Sequence, residues 1–185
     1  GLLGSYTATQ AAAAGWEVLA TYGSNAVELP AVRMVHLDLS DPWNLVGSLC
    51  PDVIIHAAAN AKPDVCDEHK RLAYDTNVIG TDNLIRAAER VQAFFVHIST
   101  DLVFSGEHSP YSEDDPLSPP NYYGLTKAAA EAAVLASDTG AAIVRTSIIY
   151  GPRMFAHLNS FSDKIAESLR AGKPILSPAR SRTTG

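Results

Sequence analysis

Two adjacent tyrosines precede a lysine in the segment N-Y-Y-G-L-T-K, residues 121–127. On a helix, side chains four positions apart share a face, so Tyr123 would stand beside Lys127, whereas Tyr122 has Thr126 in that place. A lysine ammonium beside a phenol favours the phenolate and lowers the pKa of the phenol from about 10 toward neutrality. We therefore expect Tyr123 to donate or accept a proton. The alternative, an aromatic ring packed on a lysine stem of an exposed helix, fits the same spacing.

A second candidate group ends the apolar segment F-F-V-H-I-S-T-D. If this segment is a strand, Ser99 and Thr100 lie at the carboxyl edge of a sheet, where such folds bind ligands. A hydroxyl there and the helix face of Tyr123 and Lys127 can converge on one carbonyl oxygen. The hydroxyl would donate a hydrogen bond, Tyr123 the proton, and Lys127 would also hold the ribose hydroxyls of a cofactor. The alternative is a hydroxyl that only caps the turn after the strand.

The elements that must position these groups follow from the hydrophobic pattern. The predicted strands are Glu17–Thr21, Arg33–Leu37, Asp52–Ala57, Phe94–Ser99 and Ala141–Ser147. The predicted helices are Ser5–Ala14, Pro63–Arg90 with a break near Thr76, Tyr122–Ala136 and Ser160–Ala171. Strands that are apolar on both faces and alternate with helices predict an α/β fold with a doubly wound parallel sheet. The polar segment Gly106–Asn121, rich in proline, serine and acid, is a candidate lid over a site.

The chain opens with G-L-L-G and continues directly into a helical pattern. Gly1 and Gly4 would let the backbone approach a ligand, and the helix N-terminus would present free N–H groups to a phosphate. A plain tight turn is the alternative. Because a doubly wound sheet has its central strand before such a turn, we expect a strand upstream of Gly1 and interpret the sequence as part of a longer protein.

The second predicted strand bears on the type of cofactor. An acid at its end would select NAD and an arginine would select NADP, but the sequence there is Thr21-Tyr22-Gly23-Ser24. Small hydroxyls leave room for a 2′-phosphate, so we favour NADP over NAD. Asp38, after the next strand, could meet an adenine amino group. It could equally cap a helix that follows Ser40.

Composition limits the other possibilities. The net charge of −6 argues against a nucleic-acid partner, and no apolar run has the length of a membrane span. Two cysteines, Cys50 and Cys66, without a C-x-x-C motif fit the reducing cytoplasm. The six histidines show no metal-ligand spacing, so no metal site is expected.

Taken together, seven motifs resemble the extended short-chain dehydrogenases/reductases in order and spacing. They are G-L-L-G, L-D-L, H-A-A-A, N-V-I-G-T, S-T-D-L-V-F-S-G, Y-Y-G-L-T-K and V-R-T-S-I-I-Y-G. Within that superfamily, S-T-D-x-V-F and the acidic E-D-D-P loop are most similar to the dTDP-4-dehydrorhamnose reductases. The resemblance implies a Rossmann-like NAD(P)-binding domain over residues 1–150 and the start of a smaller substrate-binding domain over residues 151–185.

The resemblance also implies roles for individual residues. Thr100, Tyr123 and Lys127 match the catalytic hydroxyl, tyrosine and lysine, and Asp101 lies with Thr100 and Tyr123 beside the substrate sugar. Asn77 matches an asparagine that ties its helix to the active-site strand. Cofactor contacts are implied for a larger set along the sheet edge, namely Gly1, Leu2, Leu3, Gly4, Asp38, Leu39, Ala58, Ala59, Asn60 and Ser99, together with Tyr123 and Lys127.

The leading hypothesis is an NAD(P)H-dependent reductase of the 4-keto group of a nucleotide-diphosphate deoxy sugar, with Tyr123 as proton donor. Lys173, Arg180 and Arg182 could help neutralise the substrate diphosphate, or could form a solvated basic tail. The alternatives are a sugar-nucleotide epimerase or dehydratase with tightly held NAD, a reductase of another carbonyl, and a regulatory subunit. The regulatory subunit of methionine adenosyltransferase also resembles this family. A homodimer is the family-level expectation.

Overall fold

The computed structural model describes residues 1–150 and 161–172. Leu3–Ser147 belong to one compact unit, and the last described helix belongs to another. Most of the expected substrate-binding region, including Lys173, Arg180 and Arg182, lies outside the described residues. The fold is therefore described for the first unit.

Strands and helices alternate along the chain. The strands are β1 Leu19–Tyr22, β2 Arg33–His36, β3 Val53–His56, β4 Phe94–Thr100 and β5 Ala141–Thr146. The helices are α1 Leu2–Ala13, α2 Trp43–Leu49, α3 Pro63–Glu68, α4 Lys70–Tyr74, α5 Gly80–Val91, α6 Tyr122–Leu135 and α7 Phe161–Arg170. A π-helical turn, Asp75–Ile79, joins α4 to α5, and a 3-10 turn, Asp101–Val103, follows β4.

All strand pairs are parallel. β1 pairs with β2, and β3, β4 and β5 form a second sheet in that order. Among the described residues β1 and β3 are not paired with each other. The predicted class, a Rossmann-like parallel α/β fold, is confirmed.

The hydrophobic core lies where α5 and α6 cover one face of β4. Phe95 of β4 is fully buried against Ile85 and Leu84 of α5 and Val134 of α6. Burial of such side chains stabilises the fold by about 1.5–3 kcal/mol each. On that same face Phe95 is followed at alternate positions by His97 and Ser99, so the strand that anchors the core also carries polar groups toward the site.

Two details of the helices differ from the prediction. The helix α2 was not predicted, because its sequence W-N-L-V-G-S-L is short and contains weak helix formers; it is held by Val46, which is buried in the core. The predicted helix Pro63–Arg90 is interrupted at His69. The α-helix also stops near Thr76, where a break was predicted, and a π-helical turn with i→i+5 hydrogen bonds replaces it there.

Some structural features can be excluded for residues 1–150 and 161–172. None of their helices combines the length and apolar character that crossing a membrane requires. In that same part of the chain no cluster of histidine, cysteine and acidic side chains could hold a metal ion. Cys50 is exposed and Cys66 buried, and both are free thiols.

Candidate active site

The start of α6 is fixed against the end of β4. Asn121 caps the helix by accepting a hydrogen bond from the Gly124 amide at 2.8 Å. A Cβ on Gly124 would collide with the carbonyl oxygen of Leu102, so only glycine allows the helix to approach the 3-10 turn this closely. This close approach brings Tyr123 to the carboxyl end of β4, as the sequence predicts.

Thr100 is buried at that strand end, and its hydroxyl is close enough to the Tyr123 phenol to lower the pKa of that phenol. Its hydroxyl donates to an Asp101 carboxylate oxygen and accepts from the Leu102 amide, both at 3.2 Å. Thr100 therefore caps the turn, and it also meets the tyrosine. A hydroxyl that caps the turn and a hydroxyl beside Tyr123 were given as alternatives, and the two positions are compatible in this structure.

The pKa of Tyr123 is raised above its ordinary value. Burial is the main cause and nearby Cys66 adds to it, while the hydrogen bond with Thr100 acts in the opposite direction. The expectation that Lys127 lowers this pKa is wrong for this structure, because the lysine amine has a different partner. The phenol accordingly keeps its proton at neutral pH, which suits a proton donor better than a base.

Lys127 is 2 % exposed and directs its amine toward β4. Its Nζ lies 3.0 Å from Nε2 of His97. Burial lowers the pKa of Lys127 to about 8, and the charge of Glu131 partly offsets that effect. The amine is therefore close to titrating at physiological pH, a property that the Tyr-x-x-x-Lys spacing does not predict.

An ion pair missed by the sequence analysis lies one turn after Lys127. Glu131 is 1 % exposed and receives hydrogen bonds from Arg145 of β5 at 2.8, 3.1 and 3.3 Å. Arg145 also donates to the Glu113 carbonyl at 2.8 Å and lies over the ring of Phe104. The predicted lid is thus attached to the helix that carries Tyr123. The sequence signal for this pair was the glutamate on an alanine-rich helix face, but its partner Arg145 lies on a different element, strand β5.

Asn77 has a different role from the one the resemblance implied. In the π-helical turn its side chain accepts from the Asn60 amide at 2.7 Å and donates to the Asn60 carbonyl at 3.1 Å. It also donates to the Thr126 hydroxyl at 3.0 Å. Asn77 therefore ties the loop after β3 to α6, and the expected tie to the active-site strand β4 is wrong.

Tyr122 is attached to α3 and α4. Its amide donates to Asp67 at 3.2 Å, and the Lys70 ammonium lies 5.5 Å from its ring centre. Of the two adjacent tyrosines, only Tyr123 contacts the strand-end hydroxyl.

The residues expected to hold a cofactor form a more open region. The first helical hydrogen bond of α1 runs from the Ser5 amide to the Gly1 carbonyl, and Gly1 offers no side-chain cap to the preceding N–H groups. A Cβ on Gly1 would meet nothing within 4 Å, and one on Gly4 only an ordinary contact with Ala57 at 3.8 Å. Within the described residues neither glycine has a contact that would exclude a Cβ. Leu2 and Leu3 are half-buried in the first turn of α1.

Other expected cofactor residues follow β2 and β3. Asp38 is exposed and accepts from the Ser40 amide at 2.8 Å, which lowers its pKa. It caps this turn, whereas α2 begins only at Trp43, so the alternative of a helix cap is wrong. Leu39 packs near Gly80, where a Cβ would lie 3.0 Å from it. After β3, Ala58 is exposed and Ala59 half-buried.

One buried atom in this region has no partner. The hydroxyl of Ser99 has no hydrogen bond within the described residues, although the side chain is nearly inaccessible. A buried hydroxyl without a partner at the carboxyl end of β4 fits a polar ligand such as a dinucleotide at this edge of the sheet.

Fold and site define a Rossmann-like domain of the extended short-chain dehydrogenase/reductase type. The family model described as the RmlD substrate binding domain matches residues 1–175, so the chain belongs to this family. The resemblance to the dTDP-4-dehydrorhamnose reductases is confirmed.

Curated relatives include two kinds of protein. The methionine adenosyltransferase 2 subunit beta of Bos taurus is 40% identical over 115 residues, which are 62% of this chain and 34% of that protein. The dTDP-4-dehydrorhamnose reductase of Mycolicibacterium smegmatis is 37% identical over 154 residues, 81% of this chain and 43% of that protein. The chain thus spans less than half the length of these relatives.

Solved structures give the same family. A hypothetical dTDP-4-dehydrorhamnose reductase from Sulfolobus tokodaii has a TM-score of 0.78 and 33% identity, covering 92% of this chain and 59% of its own. The dTDP-4-dehydrorhamnose reductase of Bacillus anthracis in complex with NADP has a TM-score of 0.70 and 33% identity, with coverages of 76% and 51%.

Proposed function

We propose that the full-length protein is an NAD(P)H-dependent reductase that acts on the 4-keto group of a nucleotide-diphosphate deoxy sugar. The observation that carries this proposal is the contact of Tyr123 with Thr100 at the carboxyl end of β4. Membership of the RmlD family supports the substrate class. The NADP in the Bacillus anthracis relative supports the cofactor.

In this reaction Tyr123 donates its phenolic proton to the ketone oxygen while Thr100 and Asp101 face the sugar. Burial keeps the phenol protonated until the substrate needs the proton. A bound nicotinamide supplies the hydride. Lys127, positively charged below about pH 8, holds the ribose hydroxyls of the cofactor. Such acid catalysis contributes on the order of 100- to 10,000-fold to the rate.

We assign the cofactor to the open region that begins at α1. The N–H groups after Gly1 bind the diphosphate, Asp38 meets the adenine, and the loop Ala58–Asn60 lines the remainder with Ser99. Thr21, Tyr22, Gly23 and Ser24 at the end of β1 include no acid that would repel a 2′-phosphate, so NADP is favoured over NAD.

The test uses the full-length protein with dTDP-4-dehydrorhamnose, following the oxidation of NADPH and NADH. Tyr123→Phe should reduce kcat by at least about 100-fold and leave the cofactor dissociation constant nearly unchanged. Tyr122→Phe is the matched control, because it removes the hydroxyl of the neighbouring tyrosine, which is attached to α3 and α4, and it should retain turnover. Full turnover in Tyr123→Phe would contradict the proposal.

A second candidate is a regulatory subunit without sugar turnover, supported by the identity to methionine adenosyltransferase 2 subunit beta. A stoichiometric complex with a methionine adenosyltransferase catalytic subunit, together with no oxidation of bound NADPH, would favour it. Turnover without added reductant, with NAD retained through purification, would instead favour an epimerase or dehydratase.

Location and assembly are also part of the proposal. Two free thiols and no disulfide in the described residues fit the cytoplasm. A homodimer is what the family resemblance implies, and sedimentation of the full-length protein tests it.

A further inference from the structure

Three groups that can each carry a proton lie together beneath the proposed catalytic edge. His97 of β4 is fully buried, His56 of β3 is 3 % exposed and Lys127 of α6 is 2 % exposed. The two histidines face each other across the parallel strand pair, with ring centres 5.5 Å apart. The proposed reaction uses Lys127 and leaves both histidines without a role.

Hydrogen bonds fix the first histidine. The Thr81 hydroxyl donates to the Asn77 carbonyl at 2.7 Å, so it can only accept from Nε2 of His56, 3.0 Å away. His56 is therefore neutral and protonated on Nε2. Burial and the charge of Lys127 agree with this, lowering the pKa of His56 to about 3.

The second histidine is fixed by the lysine. A lysine ammonium only donates hydrogen bonds, so Nε2 of His97, at 3.0 Å from Nζ, must present its lone pair. The ring proton then lies on Nδ1, which is buried and has no partner in the described residues. An unpaired buried N–H is unfavourable, and a cationic ring would carry an unpaired charge as well. Burial and the lysine charge accordingly lower the pKa of His97 to about 2.

We propose that His97 is a positioning residue that accepts a hydrogen bond from Lys127, holds the amine at β4 and keeps it protonated near neutral pH. Among the described residues His97 is the hydrogen-bond partner of Nζ, so its loss leaves a buried ammonium without an acceptor. The effect of His97 on turnover rests on the proposed function. The hydrogen bond between Lys127 and His97 and the tautomer of His97 do not depend on that function.

Other charged groups near Lys127 must be considered in any pH dependence. Glu131 on α6 favours the charged amine, and Arg145 of β5 neutralises much of Glu131. Titratable groups on the surrounding elements are His56 on β3, Cys66 and Asp67 on α3, Lys70 on α4 beside Tyr122, Asp101 after β4, and Tyr123 on α6 itself. In the described residues none of these groups is hydrogen-bonded to Nζ, whereas His97 is.

The first experiment observes the bond directly, by two-bond proton–nitrogen NMR of the full-length protein with ¹⁵N-labelled histidine. We expect His97 to be the neutral Nδ1–H tautomer at pH 6.5 and to remain neutral at pH 5. Its Nε2 shift should change as Lys127 loses its proton near pH 8. An Nε2–H tautomer or an imidazolium at pH 6.5 would overturn the proposal.

The second experiment uses three variants. His97→Leu removes the acceptor, whereas His97→Gln retains an acceptor oxygen near the position of Nε2. His56→Gln is the matched control, a buried histidine replaced at a site that does not contact Nζ. The readouts are the pH dependence of the NADPH dissociation constant and of kcat.

We expect the high-pH loss of affinity and of kcat to move to lower pH by about one unit in His97→Leu. It should stay in place in His97→Gln and His56→Gln. The proposal would be overturned if the high-pH loss stayed in place in His97→Leu, or if it moved by the same amount in His56→Gln. If His97→Leu does not fold, the test rests on His97→Gln, and a shift of its high-pH loss to lower pH would overturn the proposal. The NMR result stands without turnover, so failure of the reductase proposal can be distinguished from failure of this one.

Discussion

The site has two halves that are built in different ways. In the proposed catalytic half, formed by Asn77, His97, Thr100, Tyr123 and Lys127, side chains are mostly buried, and Asn77 and Lys127 are hydrogen-bonded to partners distant in sequence. In the proposed cofactor half, formed by residues 1–4, Asp38 and residues 58–60, backbone groups and small or exposed side chains predominate.

The difference shows which half is preorganised. Burial in the catalytic half fixes the orientation of each group and shifts its pKa before any ligand arrives. In the cofactor half, Asp38 and Ala58 are exposed, and the expected ligand contacts come mainly from backbone groups. Substitutions and pH changes that act on the first half should therefore change the free energy of unfolding. Those that act on the second half should change the affinity for the ligand.

The largest expected effect is the acid sensitivity of the buried histidines. Their pKa values are about 3 and 2 in the folded state, against about 6.5 when unfolded. Between pH 7 and pH 5 the unfolded chain therefore binds protons that the folded protein does not, so the free energy of unfolding falls as the pH falls. Each histidine contributes a loss of about 2 kcal/mol, and Lys127 contributes none because it is protonated in both states.

Urea denaturation of the full-length protein at pH 7 and pH 5 measures this loss. In His56→Gln one of the two titrating groups is absent, so the difference between the two pH values should be about half that of the unsubstituted protein. An undiminished difference in that variant would show that the acid sensitivity has another source.

The residues of the proposed catalytic half, except His97, were predicted from sequence by type and not by environment. The spacing of Tyr123 and Lys127 and the position of Thr100 after an apolar strand were enough to bring the tyrosine and the hydroxyl together. The direction of the tyrosine pKa was wrong, because the partner of Lys127 is His97, thirty positions away on β4. Tertiary burial decides such shifts, and local spacing does not contain it.

The second prediction compares a glycine in each half. Gly124→Ala drives a methyl group into the Leu102 carbonyl, so α6 must move away from β4. We expect a loss of about 3 kcal/mol in the free energy of unfolding and a fall in kcat of about 100-fold, because Tyr123 is displaced. Gly4→Ala meets only an ordinary contact and should leave the free energy of unfolding within about 1 kcal/mol, since alanine also favours a helix.

Urea denaturation and NADPH titration of both variants separate the halves. Gly4→Ala should weaken NADPH binding while Gly124→Ala reduces stability. If Gly4→Ala were as unstable as Gly124→Ala, the first helix would be part of the rigid framework, and the distinction between the halves would be lost.

Fold class followed from the sequence more completely than the site did. Alternating apolar strands and helices indicated the parallel sheet, and the five strands fall within a few residues of their predicted bounds. The helix α2 and the interruption at His69 were missed, since short helices depend on packing partners such as α5 more than on their own propensity. The ion pair of Glu131 with Arg145 was missed for the same reason.

The smallest expected effect lies in the cofactor half, at Asp38. Asparagine keeps the oxygen that accepts from the Ser40 amide, so Asp38→Asn should leave the urea midpoint unchanged. The hydrogen bond with Ser40 keeps the carboxylate ionised, and an ionised acceptor binds an adenine amino group more strongly than a neutral amide does. NADPH should therefore bind about 3- to 10-fold more weakly to the variant. The hypoxanthine analogue of NADPH, which lacks that amino group, should bind both proteins alike. Equal NADPH affinity in the two proteins would mean that Asp38 only stabilises the turn at Ser40. Another group in the cofactor half would then have to bind the adenine.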